Sequence, residues 1–106
     1  MTTLKNIIAN NGATLDANGN AITYKNGYQV SIKDITIIKL YKLRKSHIIE
    51  LLNNNYNLGV WIENKNVYLD YSIRIANKKD AIKTGKANNQ ISIYNWKNGD
   101  CIYLKK

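Results

Sequence analysis

Apolar and polar positions alternate most regularly between residues 58 and 104, and that stretch predicts two β-hairpins with a helix between them. Residues 58–63 and 67–75 are β-branched and aromatic runs separated by Asn64-Lys65-Asn66, which is turn chemistry. In the second run Val67, Leu69, Tyr71, Ile73 and Ile75 share one face, and Tyr68, Asp70, Ser72 and Arg74 share the other. Asn77, followed three residues later by Asp80, is a capping signal for a helix over 78–87. Its Ala81, Ile82 and Gly85 form a narrow face that can lie close on a sheet. Asn88-Asn89-Gln90 ends the helix, residues 91–95 and 101–104 resume strand character, and Asn98-Gly99 is the hairpin signal between them.

The first half is less regular. Thr2 or Thr3 can cap a short helix through Leu4, Ile7 and Ile8, which stops near Asn10-Asn11-Gly12. Three Asn-Gly pairs then separate short strands at 13–15, 21–24 and 28–30. Their spacing is not that of a nucleotide-binding loop. Ser31 and Asp34 repeat the capping pattern and predict a helical region from 31 to about 53. Ile37, Leu40, Tyr41, Ile48, Leu51 and Leu52 lie on one of its faces, and Ile38, Leu43 and Ile49 on another. Either that helix is buried on two sides or it breaks near Lys45-Ser46, with Ser46 capping a second helix; the break is the preferred reading.

The expected fold is therefore α+β: one domain over 1–106, with a small antiparallel sheet of two hairpins flanked by a basic helix and a longer N-terminal helical region. The length suits one core, and a lone Cys101 leaves no intramolecular disulfide and suits a reducing, cytoplasmic setting. No apolar run reaches membrane-spanning length, and the start does not read as a signal peptide.

Charge changes the picture most. Sixteen Lys and Arg against seven acids give +9, spread along the chain, which favours a polyanionic or acidic partner. At 100° per residue Lys79, Lys83 and Lys86 form a stripe opposite the small-residue face of their helix, with Lys78 beside it. Lys39, Lys42, Arg44 and Lys45 form a second cluster. Such stripes either hold phosphate backbones through counterion release or are solvated outer faces. Strand parity places Trp61, Tyr68, Tyr94, Trp96 and Tyr103, with Arg74, on the sheet face away from the basic helix. That face is read as covered by the Ile37/Leu40/Leu51 stripe; the alternative is a display of aromatics for stacking unpaired bases. His47 and Cys101 have no visible third group to make a nucleophilic site, and neither the seven acids nor His47 show metal-ligand spacing. The chain is read as non-enzymatic and without a cofactor.

Asn-Gly-Ala-Thr-Leu-Asp at 11–16, Lys-Asn-Gly-Tyr-Gln-Val-Ser at 25–31, Gly-Val-Trp-Ile at 59–62 and Tyr-Asn-Trp-Lys-Asn-Gly at 94–99 resemble small accessory proteins of phages and mobile elements in low-GC Gram-positive bacteria. An Asn-, Ile- and Lys-rich chain without Phe or Pro agrees with an AT-rich coding sequence. Some proteins of that kind are anti-CRISPRs acting on type II Cas nucleases. The resemblance implies a phage-type inhibitor of a host defence nucleoprotein in a bacterial cytoplasm, without designating any functional residue. A chain of +9 departs from the acidic DNA mimics of that group, so it would have to grip guide RNA, target DNA or an acidic patch of the nuclease. Lys79, Lys83, Lys86, Lys39, Lys42, Arg44 and Lys45 would make the ionic contacts, with Trp61 and Trp96 as anchors. A general single-stranded DNA or RNA binding module is the alternative, and a virion or assembly component is a third class.

Overall fold

The computed structural model describes residues 1–104, and in it the chain is α+β, with three α-helices and a six-stranded antiparallel sheet among those residues. In chain order the elements are α1 (Leu4–Ala9), β1 (Gly12–Leu15), β2 (Tyr28–Lys39), a 3-10 turn (Leu40–Lys42), α2 (Lys45–Ile49), β3 (Asn57–Glu63), β4 (Asn66–Ile75), α3 (Lys78–Ala87), β5 (Ser92–Asn95) and β6 (Asp100–Tyr103). The strands hydrogen-bond in the order β1-β3-β4-β2-β5-β6.

That order corrects the sequence reading in two places. The helical region expected over 31–53 is absent: its first part belongs to β2, the longest strand, and α-helix is confined to the five residues of α2. Ile32, Ile35, Thr36, Ile37 and Ile38 are all β-branched, so a helix would freeze their side chains against its preceding turn, whereas a pleated sheet accommodates them. Ser31 and Asp34 lie inside the strand, where no helix begins. Ser46 is likewise within α2; Arg44 is its N-cap residue, and the Arg44 backbone N–H donates to His47 Nδ1 at 2.9 Å. The sheet is also larger than two hairpins, because β1 adds at one edge and β2 stands between β4 and β5.

The residues divide into two compact units. The first comprises Met1–Ile22 and Asp34–Tyr71. Its core is Ile7 of α1, Leu15 of β1, Leu43, Ile48 of α2, Leu58 and Val60 of β3, and Val67 and Leu69 of β4. Thr3 caps α1, its Oγ1 accepting from the Asn6 N–H at 3.2 Å. β1 pairs antiparallel with β3, Gly12 opposite Trp61 and Leu15 opposite Leu58. The other side of β1 is occupied by a returning segment, in which the Ile22 N–H donates to Thr14 O and Leu15 bridges Ala21. Between β3 and β4, Asn64 and Lys65 take positive φ of 51° and 64°, the left-handed pair that a two-residue hairpin turn requires. Ile35 and Ile38 both pack on this core, so strict alternation is interrupted between them.

The second unit comprises Thr23–Lys33 and the residues from Ser72. Val30, Ala81 and Ile93 are its buried centre, with Tyr28, Ile75, Ile82, Ile102 and Leu104 packed around them. Asn77 Oδ1 caps α3 by accepting from the Asp80 N–H at 3.1 Å. Gly85 lets α3 lie close: a Cβ there would meet Leu104 Cδ1 at 2.6 Å and Ile93 Cγ2 at 3.0 Å. This is where the narrow Ala81/Gly85 face goes, and it turns the lysines outward.

Candidate polyanion-binding surfaces

Each sequence-predicted cation has a definite setting. On α3, Lys78, Lys79, Lys83 and Lys86 are exposed while Ala81 and Gly85 are buried. The ten-residue helix thus presents its ammonium groups on one side because its small residues hold the other. Lys86 lies in its last turn, where a cation also meets the negative end of the helix dipole.

In the first unit Lys39, Lys42, Arg44 and Lys45 are all exposed, spread over the end of β2, the 3-10 turn and the start of α2. Two residues join them that the sequence reading did not select. Tyr41, assigned there to an apolar helix face, is 75% exposed, and the Lys42 ammonium sits 5.7 Å from its ring centroid. Lys65 belongs to the β3–β4 turn, and its carbonyl accepts the Leu40 N–H at 2.9 Å, which brings the turn beside the 3-10 segment. Lys65 could not be found from local sequence, since only the fold brings it near residue 40. Tyr41 lies in the 3-10 turn that follows β2.

The aromatics divide into two settings. Trp61 is 45% exposed and Tyr68 is also exposed, in the first unit. Trp96 is half-buried in the second, where its Nε1–H donates to Gln29 Oε1 at 3.0 Å while Gln29 Nε2 donates to Ser72 Oγ at 2.8 Å. Tyr24 and Tyr94 pack edge-on against Trp96 at 5.5 and 4.9 Å. Arg74 lies over Tyr24 at 5.1 Å and donates through Nε to Asn26 O. This network accounts for Trp96 as an internal bolt. Trp96→Phe, which removes the indole N–H that Gln29 accepts, is expected to cost about 1–2 kcal/mol in urea unfolding. A cost near zero would mean that the indole hydrogen bond contributes nothing net. Ile37, expected on the apolar stripe of a helix, lies in β2 and is exposed.

One groove opens in the first unit. It has a volume of about 530 Å³ and is lined by Asp34, Thr36, Ile37, Tyr68 and Asp70, among others. Asp70 stands beside Gly59, and any Cβ at 59 would collide with its carboxylate. Burial, with the negative charge of Asp34 as the second cause, raises the Asp70 carboxyl from its ordinary 3.8 to about 6. The folded chain therefore holds that proton more tightly than the unfolded one, and stability falls as pH rises through about 4 to 6. The expected loss is on the order of 1–2 kcal/mol, discounted because the carboxyl is partly solvated. Asp70→Asn should flatten the urea midpoint between about pH 4 and 7 and raise it at the upper end. An unchanged slope in the variant would assign the pH dependence to other groups.

Among the described residues no three His, Cys, Asp or Glu side chains come together as metal ligands. No described helix is long and apolar enough to cross a membrane. No known family, curated protein or solved structure matches the chain.

Proposed function

We propose that the chain is a non-enzymatic binding protein whose lysine-rich faces grip the phosphate backbone of a nucleoprotein, and that its target is a host defence ribonucleoprotein such as a Cas nuclease, which it inhibits. The observation that carries the reading is α3: Lys79, Lys83 and Lys86 stand exposed along one side of a helix whose other side is fixed by Ala81 and Gly85. A helix held in this way presents its charges without ordering a mobile segment on binding, so less conformational entropy opposes association. The exposed group around residues 39–45 gives a second cationic surface, with Tyr41 as an aromatic neighbour. The phage-type resemblance of the turn and strand motifs supplies the choice of a defence nuclease over other polyanions.

General binding of single strands is the second reading, favoured by the exposure of Trp61 and Tyr68, which could stack bases. The two are separated by running labelled single-stranded and duplex oligonucleotides across a salt series beside cleavage by a type II Cas nuclease. Inhibition at concentrations that leave naked nucleic acid unbound supports the inhibitor. Tight, salt-sensitive oligonucleotide binding without a selective effect on the nuclease rejects it in favour of the general binder.

A further inference from the structure

β6 ends the strand order, and the two edges of the sheet are treated differently. The outer side of β1 is occupied by the returning segment through Ala21 and Ile22, whereas β6, among the described residues, is paired through β5 alone. The direction of its backbone groups follows from two hydrogen bonds. Leu104 N–H donates to Ile91 O at 2.8 Å, so with Ile93 opposite Ile102 and Asn95 opposite Asp100, the even-numbered residues 100, 102 and 104 turn their N–H and C=O groups toward β5. On the other side of β5, Trp96 N–H donates to Gly27 O, which directs residues 94 and 96 toward β2 and leaves 93 and 95 for β6, in agreement. Cys101 and Tyr103 therefore point their N–H and C=O groups outward from the sheet.

This edge is self-complementary. A two-fold axis through Ile102 sets Cys101 of one copy opposite Tyr103 of the other, and both pairs are hydrogen-bonded pairs that use the outward groups. Asp100 is the one charge of β6, and pairing about Ile102 sets it opposite Leu104 of the other copy, which Lys105 and Lys106 follow in sequence, so no like charges face each other across residues 100–104. The strand also lacks the usual edge protection: there is no proline and no central charge, and Tyr103 is 76% exposed with Cys101 exposed beside it. We infer that β6 is a homodimerisation edge, where two copies of the chain join antiparallel through Cys101 and Tyr103 into one continuous sheet. A four-residue strand buries little area, so the dimer is weak and forms with rising concentration.

Sedimentation equilibrium of the wild-type chain over a wide concentration range, with amide exchange followed by NMR, tests this. The mass should rise from 12.1 kDa toward twice that value, and the Cys101 and Tyr103 amides should exchange more slowly in the same range. Tyr103→Pro removes an outward N–H that the fold itself does not use, so it should keep the circular dichroism of the wild type and lose the dimer. A wild-type mass that stays at 12.1 kDa, exchange at Cys101 and Tyr103 independent of concentration, or a dimer that survives Tyr103→Pro overturns the proposal. The first two readouts use only the wild type, so they decide the matter even if the proline variant fails to fold.

Discussion

Gly12→Ala is expected to destabilise the chain by about 2–5 kcal/mol, the sum of a strained backbone and a collision. Gly12 sits at φ 136°, which L side chains rarely adopt, and it follows Asn11 at φ 58°. A Cβ at residue 12 would run into the Val60 carbonyl and approach Trp61 Cα at 3.2 Å. Both neighbours are backbone of β3, and β3 carries Leu58 and Val60 of the first core, so neither can retreat without loosening that core. The loss should be visible as a lower urea midpoint with an unchanged slope. Gly85→Ala is the control. There the Cβ would meet side chains instead of backbone, the flexible end of Leu104 at 2.6 Å and Ile93 Cγ2 at 3.0 Å, and alanine favours a helix over glycine by about 1 kcal/mol, so the net change should be smaller than at Gly12. Equal costs at the two positions would show that the collision with β3 is relieved by a shift not evident in the structure.

The triple replacement Lys79→Gln, Lys83→Gln and Lys86→Gln should weaken binding to single-stranded oligonucleotide or to the target ribonucleoprotein on the order of 100-fold near 0.1 M salt. Each phosphate that a lysine neutralises releases about 0.7 counterions from a single strand, so removing all three ammonium groups reduces the slope of log K against log salt by roughly 2. All three side chains are exposed and the helix is held by Ala81, Gly85 and the Asn77 cap, so folding should be unaffected. Affinity and salt slope must fall together. A weaker complex with an unchanged slope would mean that the lysines act through something other than phosphate neutralisation.

The exposed basic face of α3 was legible because its signals are local. Asn77 and Asp80 mark its start, and the spacing of Ala81 and Gly85 against Lys79, Lys83 and Lys86 gives its faces without tertiary information. Residues 31–39 mislead because two local signals conflict. Ser31 and Asp34 imitate a helix start, while the density of β-branched residues favours a strand; the strand prevails through pairing between β4 and β5, distant in sequence. That insertion of β2 is a long-range fact that no periodicity within residues 58–104 could reveal. The hydrogen bond of Trp96 was hidden for the same reason, since its partner Gln29 lies 67 positions away. Strand parity gives a face to Trp61 and to Trp96 but not their surroundings: Trp61 is exposed in the first unit, and Trp96 is tied to Tyr24, Tyr94 and Gln29 in the second.

The most direct test of the proposed phosphate grip is an NMR titration of the labelled wild-type chain with a short single-stranded oligonucleotide, repeated with the guide-loaded nuclease as the binding partner. The account predicts that the largest amide and side-chain shifts, or the largest signal losses with the nuclease, fall on residues 78–86 and 39–45, and that they fade as salt rises. Perturbations centred on Trp61, Tyr68 and the Asp34/Asp70 groove, persisting at high salt and leaving the lysines of α3 unmoved, would contradict it.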